Sequence, residues 1–286
     1  MTEKGGIAMT QELLRLFSQE KIEKCAHLPF SECRITLPRL LEKEEGFAPK
    51  SAILFLIPYF SGFPKNLSAY AAAEDYHLFV KDLWERMSPR LSLLFPRYRF
   101  RMYADHSPID ERHAAVRAGL GVFGKNGLLL TPEFSSFQFI GEILTDAPAE
   151  VLGEYALFPL NGCENCGVCL AACPTGVLRG EGEDCLSAIT QRKGTLTEEE
   201  IGLMRQVGTV WGCDECQRVC PYTLRALKAG TLATPIPFFR GNRVEALNKE
   251  TLALWDEEAF RRRAFAWRGR KTIERNLALF DEATKG

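Results

Sequence analysis

Eight of the ten cysteines in this chain fall into one spaced array, and no other feature restricts the fold so tightly. Cys163-Glu-Asn-Cys166-Gly-Val-Cys169-Leu-Ala-Ala-Cys173-Pro174 reads C-x2-C-x2-C-x3-C-P. That is the spacing of bacterial ferredoxin-type iron–sulfur ligation, in which the fourth cysteine serves a second cluster. Cys213-Asp-Glu-Cys216-Gln-Arg-Val-Cys220-Pro221 repeats the pattern with one ligand missing, and Cys185 between the two blocks can supply it. Two intervening residues let the backbone curl so that successive thiolates converge, while the proline after the last cysteine stops the helical turn. The expected sets are Cys163, Cys166, Cys169 and Cys220 for one 4Fe-4S cluster, and Cys173, Cys185, Cys213 and Cys216 for the other.

Zinc also uses C-x2-C pairs, but an array with two C-x3-C-P endings is a poor zinc pattern. Disulfide frameworks belong to small secreted domains, and 286 residues is not small. The N-terminus lacks an apolar signal core, so a cytoplasmic protein is expected. The longest apolar run, Ala52 to Phe60, is too short to cross a bilayer and reads as a buried strand, so no membrane is expected. Cys25 and Cys33 are left over as buried or incidental thiols. The net charge of −1 offers no chain-wide field for nucleic acid, so any such contact needs a local basic patch.

Helical periodicity covers Thr10 to Lys24, Ser68 to Leu93 and Glu111 to Ala118, the last ending at Gly119. Strands are predicted over Ser51–Tyr59 and Tyr98–Ala104, and Gly127–Leu130 and Phe137–Leu144 read as a strand pair. Strand and helix alternate, which predicts an α/β or α+β domain over residues 1–150. A cysteine module of short helices follows over 151–230, and a basic helical tail over 231–286 closes the chain.

Ordered segments across nearly the whole chain resemble the epoxyqueuosine reductase family, cobalamin-dependent enzymes of tRNA modification. They are AYAAAEDYH (residues 69–77), YADHSPIDE (103–111), AGLGVFGKN (118–126), TPEF (131–134), IGEILTD (140–146), both cysteine blocks and ERNLAL (274–279). The chain departs from the family in a shorter N-terminus, in Ser135-Ser136-Phe137, in Tyr222-Thr223 after the last cysteine-proline, and in lacking the C-terminal helical-repeat extension of many members. The resemblance implies an α+β fold with an α/β-like cobalamin-binding domain, a ferredoxin-like module for two 4Fe-4S clusters, and a helical tail. It implies reduction of the epoxide of epoxyqueuosine in tRNA to queuosine, the last step of queuosine biosynthesis. An external reductant such as ferredoxin or flavodoxin would act on a monomer.

By that resemblance Asp105 is the proton donor; without it, an aspartate capping the following helix is the plain reading. Tyr70, Leu129, Ile140 and Asp214 would line the cobalamin, against ordinary roles as core residues or a solvated carboxylate. Asp75, Tyr76, His77 and Glu215 are softer candidates. Gly119, Gly121 and Gly124 with Lys125 suggest a tight turn near a bulky or anionic ligand, though the spacing is not that of a P-loop. In the tail, seven basic residues between Phe260 and Arg275 interleave with Phe260, Phe265 and Trp267. That is a phosphate and base-stacking surface or a solvated basic helix. Two other functions remain open: a cobalamin and iron–sulfur reductase of another small electrophile, and a plain 4Fe-4S electron carrier.

Overall fold

The computed structural model of the chain describes residues 9–43 and 45–281. The first eight residues of the expected first domain and the last five of the expected tail lie outside the described residues. Two compact units emerge. Unit 1 comprises residues 1–58, 79–132 and 138–164; unit 2 comprises 59–78, 133–137 and 165–286. The units interleave along the chain instead of following the consecutive ranges 1–150, 151–230 and 231–286. Segments 59–78 and 133–137 belong with the cysteine-rich half.

The strands are β1 (Cys25–Pro29), β2 (Ser51–Pro58), β3 (Phe100–Ala104), β4 (Val122–Phe123), β5 (Leu129–Leu130) and β6 (Gln138–Thr145). The N-terminal half carries α1 (Gln11–Gln19), α2 (Arg39–Glu42), α3 (Tyr76–Leu94) and α4 (Glu111–Arg117). Unit 1 is built on a four-stranded sheet of order β1-β2-β6-β3 in which every ladder is antiparallel. The architecture is therefore α+β. The unbroken apolar run of β2 arises because helices cover both faces of the sheet. Phe17 of α1 meets Phe55 with ring centroids 5.2 Å apart. On the opposite face Ala114 of α4 and Ala118, which caps its end, join Ala52, Leu54 and Leu144. Ile53 through Ile57 are fully buried, each worth about 1.5–3 kcal/mol of transfer free energy, so β2 anchors the unit. Gly141 pairs with Phe55, and a Cβ there would lie 2.3 Å from the ring, so the register needs glycine.

Three expectations are corrected. Residues 127–130 and 137–144 are not a strand pair: β5 pairs with β4, while β6 pairs with β2 and β3. The glycine-rich segment folds back on itself instead, with Gly124 N–H donating to Leu128 O at 2.8 Å. The helix expected over Ser68–Leu93 is broken into a single 3-10 turn, Ala69–Ala71, and α3. Asp75 starts the second piece by accepting the His77 N–H at 3.0 Å, the chemistry of a helix beginning. The first helix is shorter than Thr10–Lys24 because the chain turns at Lys21, whose φ is 62°, to enter β1.

Unit 2 is helical: α5 (Val168–Ala171), α6 (Leu186–Gln191), α7 (Glu198–Val207), α8 (Glu215–Arg218), α9 (Pro221–Ala229), α10 (Lys249–Ala253), α11 (Glu257–Arg261) and α12 (Arg270–Asp281). Trp211, Phe265, Ile273 and Leu277 form one core, and Leu186, Ile189, Leu196 and Met204 another. Fully buried Asn276 ties them by donating to Thr190 O and Val210 O, both at 2.8 Å. Thr197 and Glu200 close a reciprocal capping box at the start of α7. Among the described residues no helix is long and apolar enough to cross a membrane.

Candidate functional site

The cysteine array sits at the ends of very short helices, which is what the spacing requires. Gly167, with φ 71°, lets the chain turn between Cys166 and α5. Cys185 precedes α6 and Cys220 caps α9, whose first residue is Pro221. All ten cysteines are free thiols. The set Cys173, Cys185, Cys213 and Cys216 lies wholly in unit 2. Burial pushes the Cys216 thiol up to about 12, and the charges of Cys213, Cys185, Asp214 and Cys169 add to the rise. Cys213 is likewise pushed up to about 12, by burial and then by Cys185. The charges of Cys185 and of Cys169, one from each expected set, both reach Cys216.

Cys173 differs. Burial raises its pKa, but the Leu178 N–H, the Thr175 hydroxyl and N–H, and the Gly176 N–H outweigh it, and the net shift is downward. Hydrogen bonds of this kind to sulfur also tune cluster potentials. Of the other expected set, Cys166, Cys169 and Cys220 lie in unit 2 and Cys163 in unit 1, where its N–H donates to Phe123 O at 2.7 Å. Among the described residues no group of three or more His, Cys, Asp or Glu side chains is gathered tightly enough for a single metal ion. A cubane, which takes one thiolate at each of four separate irons, asks for a wider spread than zinc does.

Behind the second cysteine block lies a buried polar network that the sequence did not reveal. Asp214, 4% exposed, accepts from Ser68 Oγ at 2.5 Å, Ala69 N–H at 2.7 Å and Gln217 Nε2 at 2.8 Å. Burial raises its pKa, opposed by these same donors. Gln217 Oε1 accepts from Ser136 Oγ at 2.8 Å, and Ser135 Oγ shares a 2.7 Å hydrogen bond with Thr223 Oγ1. The two serines, noted only as a departure from the family pattern, thus hold residues flanking Cys216 and Cys220. Buried Tyr59 completes the network; its phenol is raised well above the ordinary range by burial and by the charges of Asp214, Tyr70 and Cys216. Half-buried Tyr70 accepts from Trp211 Nε1 at 2.8 Å. Tyr70 and Asp214 are therefore brought together, with Asp214 as a bracing group and not a solvated one.

In unit 1 Asp105 stands at the end of β3, exposed, with a φ of 64°. The His106 N–H donates to Ala104 O at 2.7 Å, so Asp105 is the centre of a tight three-residue turn. A non-glycine residue held there costs on the order of 1–3 kcal/mol, and such outliers cluster at functional sites. The capping alternative is already filled by Asp110, whose side chain accepts the His113 N–H at 3.1 Å. Ala104 pairs with Gly141, which places Asp105 and half-buried Ile140 at the same end of the sheet. Leu129 lies deeper, in an apolar cluster with Leu56, Ala115 and Val116 against which Ile140 packs.

Beneath this turn is another residue that the sequence did not single out. Glu142 is fully buried, receives a short hydrogen bond from Ser107 Oγ, and keeps its second oxygen buried without a hydrogen-bond partner. Burial pushes it up to about 8, the Ser107 hydrogen bond opposes this, and the charge of Glu111 adds to the rise. Glu111 is itself raised, by burial and in part by the charges of Asp105 and Asp110. The glycines before β5 are required by the chain's own close packing. A Cβ on Gly119 would strike the Phe158 ring at 2.5 Å, and one on Gly121 would strike Leu130 O at 2.5 Å.

The basic tail is sorted by the fold into buried and open cations. Arg262 pairs with Glu74 at 2.9 and 2.5 Å, and buried Arg263 donates to Asn242 O and lies over the Trp255 ring at 4.5 Å. Phe260 and Phe265 are core. Trp267 is 59% exposed, with Arg268 stacked 3.9 Å from its ring centroid. Beside it Lys193, Arg268, Arg270, Lys271 and Arg275 line a cavity of about 510 Å³.

Residues 162–223 match the family of 4Fe-4S double cluster binding domains. The chain is 31% identical over 223 residues to the epoxyqueuosine reductase of Aliivibrio fischeri, covering 73% of this chain and 57% of that protein. The chain spans about half the length of the curated relatives it matches. Its fold is also that of an epoxyqueuosine reductase from Bacillus subtilis, solved with its catalytic aspartate loop swung out of the active site. The TM-score is 0.70 at 23% identity, over 94% of this chain and 80% of that one. An epoxyqueuosine reductase solved with an epoxyqueuosine-modified tyrosine tRNA stem loop gives a TM-score of 0.71 at 22% identity, over the same shares. By sequence and by backbone path, this chain belongs to the same family as the epoxyqueuosine reductases and carries a 4Fe-4S double cluster binding domain.

Proposed function

We propose that this chain is an oxidoreductase that uses two 4Fe-4S clusters and cobalamin to reduce the epoxide of epoxyqueuosine in tRNA to queuosine. The observation that carries the reading is the turn at Asp105: an exposed carboxyl, held at positive φ beside an apolar residue, in a chain with a ferredoxin-type cysteine array. The residues fit both groups. Eight free thiols, several within electrostatic reach of one another, are the donor set of two cubanes. For the corrin, unit 1 offers an apolar face in half-buried Ile140 over Leu129.

When bound, cobalamin supplies a strongly reducing, nucleophilic metal centre suited to strained carbon, and the clusters supply electrons singly. Two electrons and two protons convert an epoxide to an alkene and water. Asp105 gives one of those protons to the departing oxygen as general acid. Glu142, uncharged beneath the turn, holds Ser107 and with it the path of the Asp105 segment. Ile140 and Leu129 keep water from the reacting face. Asp214 fixes Ser68 and Ala69, and so the position of Tyr70. The open cations around Lys193 and Lys271 take up tRNA phosphates, and Trp267 offers a stacking face.

Supporting this reading are the relative bound to a modified tRNA stem loop and the relative whose catalytic loop bears an aspartate. The chain works in the cytoplasm as a monomer with an external ferredoxin or flavodoxin as reductant. The test is anaerobic reconstitution with iron, sulfide and cobalamin, followed by incubation with epoxyqueuosine-containing tRNA and nucleoside analysis. Queuosine is the expected product. Fully loaded protein that leaves the epoxide intact would move the reading to another small electrophile.

A further inference from the structure

Eleven large hydrophobic side chains are exposed among the described residues, and six of them lie within seven positions of a cluster cysteine: Leu157, Phe158, Leu160, Val168, Leu224 and Leu227. In unit 2 the pattern is sharpest on α9, which begins immediately after Cys220. Thr223 and Ala226 face inward, fully or almost fully buried. Leu224 and Leu227 face outward at 55% and 42% exposure, three residues apart and so on one helical face. Arg225 and Lys228 are exposed beside them, Arg225 lying 4.8 Å over the Tyr222 ring. The sequence PYTLRALKA contains no carboxylate. Val168, next to Cys169, is 41% exposed.

We propose that the outer face of α9 is the docking surface for a small acidic one-electron carrier protein that charges the clusters. The inference rests on the cluster reading above and adds the place where electrons enter. The chemistry of the face selects the occupant. Two leucines are too little apolar area for a stable complex, whereas electron-transfer encounters are small and weak. Two exposed cations on a helix with no acid of its own attract a negative partner and speed its arrival without tightening the complex. The helix starts at a cluster ligand, so a carrier seated on its first two turns stands within about 10 Å of that sulfur along the helix axis. In each encounter the carrier loses one electron and one cluster gains it, with no group or proton passing at α9.

The test uses the full chain, reconstituted and checked for iron and sulfide, with cluster bleaching followed by anaerobic stopped flow. Two reductants are compared: dithionite, which needs no docking surface, and reduced flavodoxin, an acidic one-electron flavin carrier. Leu224→Glu and Lys228→Glu are both expected to slow reduction by flavodoxin at least tenfold and to leave the dithionite rate unchanged. The wild-type flavodoxin rate should fall steeply with added salt. Unchanged flavodoxin rates in both variants would overturn the proposal. So would equal slowing by both reductants, or a wild-type protein that flavodoxin cannot reduce. A preparation holding no clusters would instead count against the cluster reading.

Discussion

Asp105 was legible in the sequence only as a member of a family motif; its strained backbone was not. A positive φ arises from the turn that joins β3 to the following loop, and no local composition rule announces it. Asp105→Asn tests the chemistry cleanly, because asparagine tolerates the same backbone conformation. The variant should keep iron, sulfide and fold while turnover falls roughly 10²–10⁴-fold, the usual share of a general acid. Wild-type turnover would remove the assignment. Glu142 shows the opposite problem: a glutamate in a strand gives no sign in sequence that it will be buried among Ser107, Glu111, Cys33 and Tyr103. Its pKa is raised from 4.5 to about 8 in the fold. The neutral form therefore favours the folded state fully below about pH 4.5, and that advantage is lost as pH rises through about 8. Glu142→Gln should flatten this loss, so that thermal melts show a relative gain on the order of a few kcal/mol at pH 8.5 over pH 4.5. Parallel melting curves for the two proteins would contradict the buried, uncharged state.

Among the elements, β2 and α4 were plain from their apolar patterns, whereas the hairpin of β4 and β5 was missed. Two-residue strands carry too little pattern to be read, and the same glycines that looked like a ligand turn serve to bring that hairpin's backbone together. The sheet's antiparallel order was hidden for a different reason. A strand covered on both faces shows an apolar run whichever way its neighbours point. In α12 the family-like ERNLAL segment owes its asparagine to packing. Asn276→Leu leaves two buried carbonyls without donors, so a loss of about 2–5 kcal/mol is expected in chemical denaturation. An unchanged midpoint would show that water replaces the amide. The tail's cations could be counted in sequence but not sorted, since only folding sets Arg262 on Glu74 and leaves Lys271 open. Lys193→Glu with Lys271→Glu should weaken tRNA binding and lower its salt slope by about two. Arg263→Glu should instead destabilise the protein.

At the scale of the whole molecule, consecutive reading of the sequence implied three successive domains, and the fold answers with two interleaved units. Residues 133–137 pass into the cysteine-rich unit because Ser135 and Ser136 bond to Thr223 and Gln217 there. Such long-range hydrogen bonds leave no periodic trace. The double-cluster cysteine spacing was the most legible feature, because cluster chemistry fixes it locally, and the wider account depends on it. Iron and acid-labile sulfide analysis of the anaerobically reconstituted full chain tests that dependence directly. About eight of each per chain are expected, the content of two cubanes. Stoichiometric zinc, or about four irons that additional reconstitution cannot increase, would contradict it.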